Sequence, residues 1–324
     1  MAYRVLITEP IVEAAINRLE EKCEVEVGRR GALNDEASLI EAVPEFDALL
    51  PMLSCPVTAE VIRAGRHLKV IANHAVGYNN IDLDTAREAE VKVANTPDVL
   101  TESSADFAMT LILTTARKTC EAQQFLRNGK FDGWDPLGFL GMELNGKTLG
   151  ILGMGRIGTA LARRAEAFGM QILYHNRNRT DKKTEQELGA RYIRELDELA
   201  KNSDILSLNC PLTEETHHII DDRILDIMPS HALLINTARG PVVNEAALAD
   251  ALHEGRIGGA GLDVFEEEPE VHPGLLEAPN CVLTPHIASG TYETRKAMGM
   301  LAADAIIGVL EGKPDTDIPN LIPL

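Results

Sequence analysis

The sequence predicts an α/β fold with two doubly wound parallel sheets. Short apolar runs alternate with helical patterns through about the first hundred residues, and a second alternation extends from about Lys147 to about His286. A helical stretch from roughly Thr101 to Asn128 lies between the two series. Because strands that alternate with helices form parallel sheets with helices on both faces, each series accounts for one sheet.

The first series is expected to be completed by the tail of the chain. Its predicted strands are Tyr3–Thr8, Ala48–Leu53, Lys69–Asn73 and Lys92–Asn95. A long helical pattern at Tyr292–Glu311 follows the second series, and we expect that helix to cross back to the first. Residues 1–98 with 288–324 are therefore predicted to form a discontinuous, flavodoxin-like domain, and residues 99–287 a second domain.

Residues 148–176 place a G-x-G-x-x-G turn between an apolar strand and an amphipathic helix, with a second apolar strand behind them. In such a unit Gly153 permits the tight turn, Gly155 lets the backbone approach a pyrophosphate, and Gly158 lets the helix lie close to the strand. The N–H groups at the start of the helix then face the phosphates. Residues 99–287 are therefore predicted to be a Rossmann dinucleotide-binding domain.

The composition argues against several classes of protein. A net charge of −19 disfavours nucleic acid and membrane lipid as partners, and no apolar run approaches the ~20 residues of a membrane span. The start of the chain enters a strand directly and lacks the apolar segment of a secretory signal, so we expect a cytoplasmic protein. The five cysteines are scattered, which argues against a metal site and a disulfide framework.

Polar side chains follow three predicted strands in the last third of the chain. Arg239, the acidic run Glu266–Glu268 and His286 each come directly after one of these strands. Ligands of open α/β sheets bind outside the carboxyl ends of the strands. Each residue by itself fits an ordinary surface or loop role. Together they suit hydride transfer to a 2-oxo acid, which needs a cation for the carboxylate, an acid for the ketone oxygen and a group that keeps this acid protonated.

The motifs resemble those of the D-isomer-specific 2-hydroxyacid dehydrogenases, with the closest similarity to the glyoxylate/hydroxypyruvate reductases. The resemblance covers essentially the whole chain. It depends on the glycine turn and on Asn73–Asp82, Thr96–Thr101, Asn236–Gly240, the Glu-Glu-Pro run that ends at Pro269, and Thr284–Ile287.

The resemblance implies a role for each matching position. Arg239 matches the substrate-binding arginine, His286 the acid/base, and Glu268 the carboxylate partner of that histidine. The implied substrate-side residues are Leu53, Val76, Gly77, Ser289 and Trp134. Trp134 would reach the active site of the other subunit of a homodimer, and the alternative is a loop aromatic packed on its own subunit.

The cofactor side of the site is drawn from the same motifs. The glycines come with Arg156 and Ile157 at the pyrophosphate, and Asp263 is placed near the nicotinamide carboxamide. The remaining expected cofactor contacts are Thr101, Asn176, Cys210, Pro211, Thr237 and Ala238.

The end of the second strand of the glycine unit indicates which nicotinamide cofactor is used. An NAD site usually has Asp or Glu there, whereas this chain has Asn176-Arg177-Asn178-Arg179. A carboxylate repels a 2′-phosphate, and two arginines without acidic partners attract it. We therefore expect NADP(H), with NAD(H) as the alternative.

The implied activity is NAD(P)H-dependent reduction of small 2-oxo acids, glyoxylate to glycolate and hydroxypyruvate to D-glycerate. The substrate is expected in the cleft between the domains, with its carboxylate held by Arg239 and the amides of Val76 and Gly77. His286 would then protonate the ketone oxygen. Two alternatives stay open: a reductase of bulkier acids of the D-lactate or D-phenyllactate type, and a non-catalytic, corepressor-like sensor of NAD(H).

Overall fold

The computed structural model describes residues 2–324. Within them the chain forms two compact units. One unit extends to Leu100 and resumes at Gly290–Leu324, and the other is Thr101–Ser289. The strands are β1 at Tyr3–Ile7, β2 at Cys23–Val27, β3 at Ala48–Leu50, β4 at Val70–Ala72, β5 at Lys92–Ala94, β6 at Thr148–Leu152, β7 at Gln171–His175, β8 at Arg191–Tyr192, β9 at Ile205–Leu208, β10 at Leu233–Asn236, β11 at Gly259–Leu262 and β12 at Cys281–Leu283.

The α-helices occupy the segments between these strands. They are α1 at Glu13–Glu20, α2 at Glu36–Ala42, α3 at Ala59–Ala64, α4 at Leu83–Glu88, α5 at Thr101–Ala116, α6 at Thr119–Arg127, α7 at Arg156–Ala167, α8 at Lys182–Glu187, α9 at Leu196–Lys201, α10 at Asp222–Ile227, α11 at Glu245–His253, α12 at Pro273–Leu276 and α13 at Tyr292–Leu310. Across residues 2–324, no helix combines the length and the apolar character that crossing a membrane requires.

The discontinuous unit contains a parallel sheet in the order β2-β1-β3-β4-β5. This is the flavodoxin-like order. Strand β2 was not predicted, because it lies at the sheet edge and its sequence Cys-Glu-Val-Glu-Val alternates acidic residues with apolar ones. The long helix α13 packs against α1 and β4, so the tail of the chain supplies part of the core of this unit.

The Thr101–Ser289 unit contains a parallel sheet in the order β12-β11-β10-β9-β6-β7-β8. Strand order reverses between β6 and β9, which is the switch point at which doubly wound sheets bind their ligands. The predicted α/β fold class with two doubly wound parallel sheets is confirmed. The single helical stretch expected from Thr101 to Asn128 is instead two helices, because Lys118 adopts a left-handed φ of 50° between α5 and α6.

The last residues of the chain are fixed to β5 by a buried amide. The Asn320 side chain is 4% exposed and donates to the carbonyl of Asn95 at 2.8 Å, and the backbone N–H of Asn95 donates to the carbonyl of Asn320. An antiparallel bridge between Ala94 and Leu321 continues this contact.

Asn320→Ala should therefore lower the free energy of unfolding by about 1–3 kcal/mol, since it removes a buried hydrogen-bond donor and leaves a carbonyl next to β5 unpaired. Urea unfolding followed by circular dichroism measures the change. Thr316→Ala, at an exposed position of the same tail, is the control and should stay within about 0.5 kcal/mol of wild type. Equal stability of the two variants would show that the tail is not anchored through this amide.

Candidate active site

Three neighbouring strands of the second unit carry the predicted catalytic residues at their carboxyl ends. Arg239 follows β10, Glu268 lies in the loop after β11, and His286 follows β12. These strands are adjacent and parallel in the sheet. The sheet therefore brings together the three residues that were predicted from separate motifs.

Arg239 lies in a turn that its own neighbours hold. Its Nη1 donates to the carbonyl of Ala238 at 2.7 Å, and the side-chain amide of Asn236 donates to the carbonyl of Arg239 at 2.9 Å. Burial lowers the pKa of Arg239, and the charge of Glu268 opposes that shift. The guanidinium stays cationic because arginine is not deprotonated in proteins. It is thus a half-buried cation at the carboxyl edge of the sheet.

Gly240 allows the loop of Arg239 to touch the loop of Glu268. A Cβ atom added to Gly240 would lie 1.9 Å from the carbonyl carbon and oxygen of Phe265. The two loops therefore pack backbone to backbone, and any side chain at this position would separate the arginine from the carboxylate.

Glu268 and His286 form a direct pair. His286 Nδ1 donates to Glu268 Oε2 at 2.9 Å, and the backbone N–H of Phe265 donates to Glu268 Oε1 at 3.1 Å. Burial works to raise the pKa of Glu268, but the hydrogen bond and charge of His286, with smaller contributions from Phe265 and Arg239, lower it overall. The pKa of this carboxylate therefore lies below its ordinary value, and the side chain is ionised at neutral pH.

Asp263 holds the turn that presents His286. This carboxylate is fully buried and accepts hydrogen bonds from the Thr284 hydroxyl at 2.7 Å, from Ile287 N at 2.8 Å and from Ala288 N at 2.7 Å. Burial raises the pKa of Asp263, and these hydrogen bonds oppose the shift. His286 has a left-handed φ of 53°, a conformation that costs a non-glycine residue about 1–3 kcal/mol. The three bonds to Asp263 hold the backbone in this strained conformation.

The glycine turn fits a pyrophosphate. A Cβ on Gly153, whose φ is 102°, would lie 2.6 Å from the backbone of Asn209 and Cys210, and a Cβ on Gly158 would lie 2.3 Å from Gly153 O. Around Gly155, in contrast, the space is open to 4 Å within the described part of the chain. Gly155 is the N-cap of α7 and, being glycine, brings no side chain to cap the helix. A helix start with room for an anion at its amides is what a dinucleotide requires.

Two buried polar atoms near the cofactor motifs lack a partner. The Thr237 hydroxyl after β10 and Asn209 Oδ1 after β9 find no hydrogen-bond acceptor or donor among residues 2–324. Buried polar atoms are normally paired, so both are available to a ligand. Cys210 is buried beside Gly153, and burial raises the pKa of its thiol to about 11. The expected contacts Cys210, Pro211, Thr237 and Ala238 therefore all lie at the carboxyl ends of β9 and β10, beside the switch point.

The end of β7 differs from the expectation in one respect. Arg179 donates from Nε to Glu185 Oε1 and from Nη2 to Glu185 Oε2, both at 2.7 Å. Hydrogen bonds from Arg179 and Tyr174 lower the pKa of Glu185 to about 2. The prediction that the arginine pair lacks acidic partners is therefore wrong for Arg179, because α8 turns a glutamate back toward it. The sequence shows a glutamate on a later helix but not the direction in which its side chain points.

Asn176 and Arg177 occupy the same loop with different surroundings. Asn176 Oδ1 accepts from the backbone N–H of Met154 at 2.6 Å, which ties the end of β7 to the glycine turn. Arg177 is exposed. The pKa of Glu215 is lowered, first by a hydrogen bond from Thr213 and also by the charge of Arg177.

The other predicted residues are distributed over both units. In the discontinuous unit, Leu53 is half-buried in the loop after β3, and the carbonyls of Val76 and Gly77 accept side-chain amides from Asn95 and Asn73 at 2.7 and 2.8 Å. In the second unit, Thr101 begins α5, Arg156 and Ile157 begin α7, Ser289 is 9% exposed, and Trp134 is 85% exposed.

Sequence reasoning missed a set of residues behind Glu268. Glu245, the first residue of α11, exchanges hydrogen bonds with Glu266, and Glu266 also contacts His218. Taken by itself, the acidic run Glu266–Glu268 is more simply interpreted as a solvated surface run. The one available signal was Asn244-Glu245 at a helix start, which indicates a cap but gives no partner.

Comparison with known proteins gives concordant matches. A family model described as "D-isomer specific 2-hydroxyacid dehydrogenase, NAD binding domain" matches residues 109–288. A glyoxylate reductase of Thermococcus onnurineus (strain NA1) is 48% identical over 324 residues, which cover 99% of this chain and 96% of that protein. The TT0316 protein of Thermus thermophilus has a TM-score of 0.92 at 41% identity, with 99% of this chain and 100% of that chain covered.

A further solved structure is the NADPH-dependent glyoxylate/hydroxypyruvate reductase of Sinorhizobium meliloti in complex with NADP and malonate. It has a TM-score of 0.86 at 35% identity, and 100% of each chain is covered. The resemblance expected from the motifs is confirmed. The chain belongs to the D-isomer specific 2-hydroxyacid dehydrogenase family, and its second unit carries the NAD-binding domain of that family.

Proposed function

We propose that this protein reduces small 2-oxo acids, with glyoxylate and hydroxypyruvate as the preferred substrates and glycolate and D-glycerate as the products. The observation that carries the proposal is the hydrogen bond of 2.9 Å between His286 and Glu268 at the sheet edge that also presents Arg239. The relatives named glyoxylate reductase and glyoxylate/hydroxypyruvate reductase support the choice of substrate.

The three side chains divide the work of the reaction. Arg239 binds the substrate carboxylate and polarises the ketone oxygen beside it. The cofactor, when bound, supplies a hydride to the substrate carbon. His286 uses Nδ1 to hold Glu268, so its Nε2 is the nitrogen that donates a proton to the oxygen as it becomes an alkoxide. Glu268 stabilises the imidazolium before transfer, and in the oxidation direction His286 accepts the proton back.

Residues of the glycine turn would hold the cofactor. The amides at the start of α7 suit the pyrophosphate, and Thr237 and Asn209 offer unpaired buried polar atoms. Asp263 is fully engaged with the His286 turn, so its contribution near the nicotinamide is proposed to act through that turn. The amides of Val76 and Gly77 keep the substrate role that the family resemblance implies. Leu53, Ser289 and Thr101 likewise keep their implied roles.

Cofactor choice is proposed to favour NADP(H), with NAD(H) as the alternative. Arg177 is an exposed cation at the end of β7, and no carboxylate stands between residues 175 and 180 to repel a 2′-phosphate. Arg179 contributes less than the sequence suggested, because Glu185 binds its guanidinium on two nitrogens. The NADP found with the Sinorhizobium meliloti relative is consistent with this preference.

The assembly is proposed to be a homodimer. Trp134 is 85% exposed, and so are other large apolar side chains of the same stretch: Leu126 at 58%, Phe131 at 62%, Leu137 at 76% and Leu140 at 62%. Helix α6, which precedes most of them, buries none of its described side chains. A concentration of exposed apolar side chains of this kind marks a protein interface. A second copy of this chain is the occupant that the family resemblance implies.

His286→Ala should lower kcat for hydroxypyruvate reduction by about 10²–10⁴-fold, because it removes the proton donor. The affinity for NADPH, measured by fluorescence, should stay near the wild-type value.

Glu268→Gln should move the loss of activity at high pH toward lower pH, because the imidazolium loses its anionic partner. Near-normal turnover of His286→Ala would refute the assignment. A wild type that shows no turnover with any 2-oxo acid would favour the sensor alternative.

Arg177→Ala should raise KM for NADPH by about tenfold and leave KM for NADH within about twofold, because it removes one charge-assisted contact to the 2′-phosphate. Arg179→Ala is the matched control, since its charge is already paired with Glu185, and its effect on the ratio of the two KM values should be smaller. A higher kcat/KM with NADH than with NADPH in the wild-type enzyme would show that the proposed preference is wrong.

Light scattering of the wild-type protein should give the mass of two chains. Trp134→Ala should change the ratio of kcat/KM for hydroxypyruvate and glyoxylate if the indole reaches the partner's active site, while Phe168→Ala, an exposed aromatic at the end of α7, should leave that ratio unchanged. A fully active monomer would contradict both the dimer and the role of Trp134.

A further inference from the structure

Glu245 binds the backbone at both ends of the loop that carries Glu268. Its side chain stands at the first residue of α11 and is 5% exposed. Glu245 Oε1 accepts from the backbone N–H of Glu266 at 2.8 Å, and Oε2 accepts from the backbone N–H of His272 at 3.3 Å. These two amides flank Glu268 in the chain, so one buried carboxylate fixes both ends of the segment that carries it.

Glu266 returns the contact and extends it to a third segment. Its Oε1 accepts from the backbone N–H of Glu245 at 2.7 Å, and its Oε2 accepts from His218 Nε2 at 3.0 Å. The backbone N–H of His218 donates to the carbonyl of Pro241 at 2.8 Å, two residues beyond Arg239. The loops of Glu268 and Arg239 are thus joined through side chains that lie behind both of them.

Helix capping does not account for this arrangement. Asn244 already caps α11, with its Oδ1 accepting from the backbone N–H of Ala247 at 3.0 Å. Burial raises the pKa of Glu245, so the position carries a desolvation cost that an exposed glutamate at a helix start does not have. The compensating contacts are those to the loop, and the loop is therefore what this carboxylate stabilises.

We propose that Glu245, Glu266 and His218 are positioning residues that hold Glu268 within reach of His286 and thereby control how readily His286 carries the proton. The proposal rests on the proposed function for the assignment of His286 and Glu268 as the acid/base pair. It adds residues outside that pair, on α11 and on the segment after β9, that determine its geometry.

The charged groups around His286 and Glu268 determine in which direction each variant should shift the titration of His286. His286 is faced by Glu268 and by the charge of Asp263, and Glu268 is also faced by Arg239. Glu266 is faced by Glu245 and by His218. The ring centroids of His217 and His218 lie 4.0 Å apart at an interplanar angle of 33°, and His272 adds a charge near Glu245.

Positioning and simple charge effects predict opposite results for one of these residues. If His218 acts on His286 only through its charge, removing this basic group makes protonation of His286 easier. If His218 acts by positioning, its removal loosens the loop of Glu268 and makes protonation of His286 harder. His218→Ala therefore separates the two explanations.

The test uses the full-length protein and two pairs of variants. Glu245→Gln and His218→Ala weaken the network. Asp250→Asn removes a carboxylate from an exposed position on α11. His231→Ala removes the histidine of another pair, bonded to Asp204 at 2.6 Å, at the amino ends of β9 and β10. The titration midpoint of the His286 ring is measured by NMR without substrate, with His286→Ala used to assign the signal, and kcat and KM are then measured against pH.

We expect both network variants to lower the titration midpoint of His286 by about half a pH unit and kcat by about tenfold, with KM for NADPH within about twofold of wild type. Both controls should match the wild type. A midpoint that is unchanged or raised in folded His218→Ala would overturn the proposal. If Glu245→Gln does not fold, His218→Ala decides the question. Failure of the wild type to turn over 2-oxo acids would refute the proposed function, and the titration, which needs no substrate, would still decide this proposal.

Discussion

Hydrogen bonds from backbone amides to carboxylates fix the loops at the carboxyl ends of the strands in the second sheet. Asp263 binds the turn of His286, Glu245 binds the loop of Glu268, and Glu268 itself accepts the amide of Phe265. Loops at a sheet edge leave amides without strand partners, and a buried amide without an acceptor is costly. A carboxylate supplies a strong, charge-assisted bond, so each of these acids converts an irregular segment into a fixed one.

The same carboxylates add negative charge to a site that has to bind anions, and the attraction that opposes this charge acts at short range. Both the substrate and the cofactor are anions, and the chain has a net charge of −19. Interactions between exposed charges weaken beyond about 8–10 Å in physiological salt, whereas a half-buried guanidinium acts at contact distance. Arg239 and the amides at the start of α7 present positive charge at the carboxyl ends of the strands, where the neighbouring acids are occupied with backbone groups or with His286.

The sheet edge also explains why distant motifs act together. The residues after β10, β11 and β12 belong to separate segments of the chain, yet parallel strands of one sheet end side by side. Gly240 then allows the loops of Arg239 and Glu268 to pack together, because a hydrogen in place of a side chain leaves room for the backbone of Phe265. The proposed catalytic geometry thus follows from strand order, from one glycine and from the carboxylates that fix the loops.

The sequence by itself determined the fold class, the family and the choice of Arg239, Glu268 and His286 as the candidate set. These features are carried by local patterns: alternation of strands and helices, glycines at fixed spacing, and polar residues that directly follow strands. Edge strands such as β2 escaped prediction, because acidic residues on an exposed edge obscure the apolar pattern.

Only the tertiary structure decided how each charged side chain is used. Glu185 neutralises Arg179 from a helix, and Glu245 reaches Glu266 across 21 residues. His286 adopts a strained backbone that Asp263 holds in place. A sequence shows which residues carry charge, but a pair forms only where the fold brings the two side chains within about 3 Å of each other.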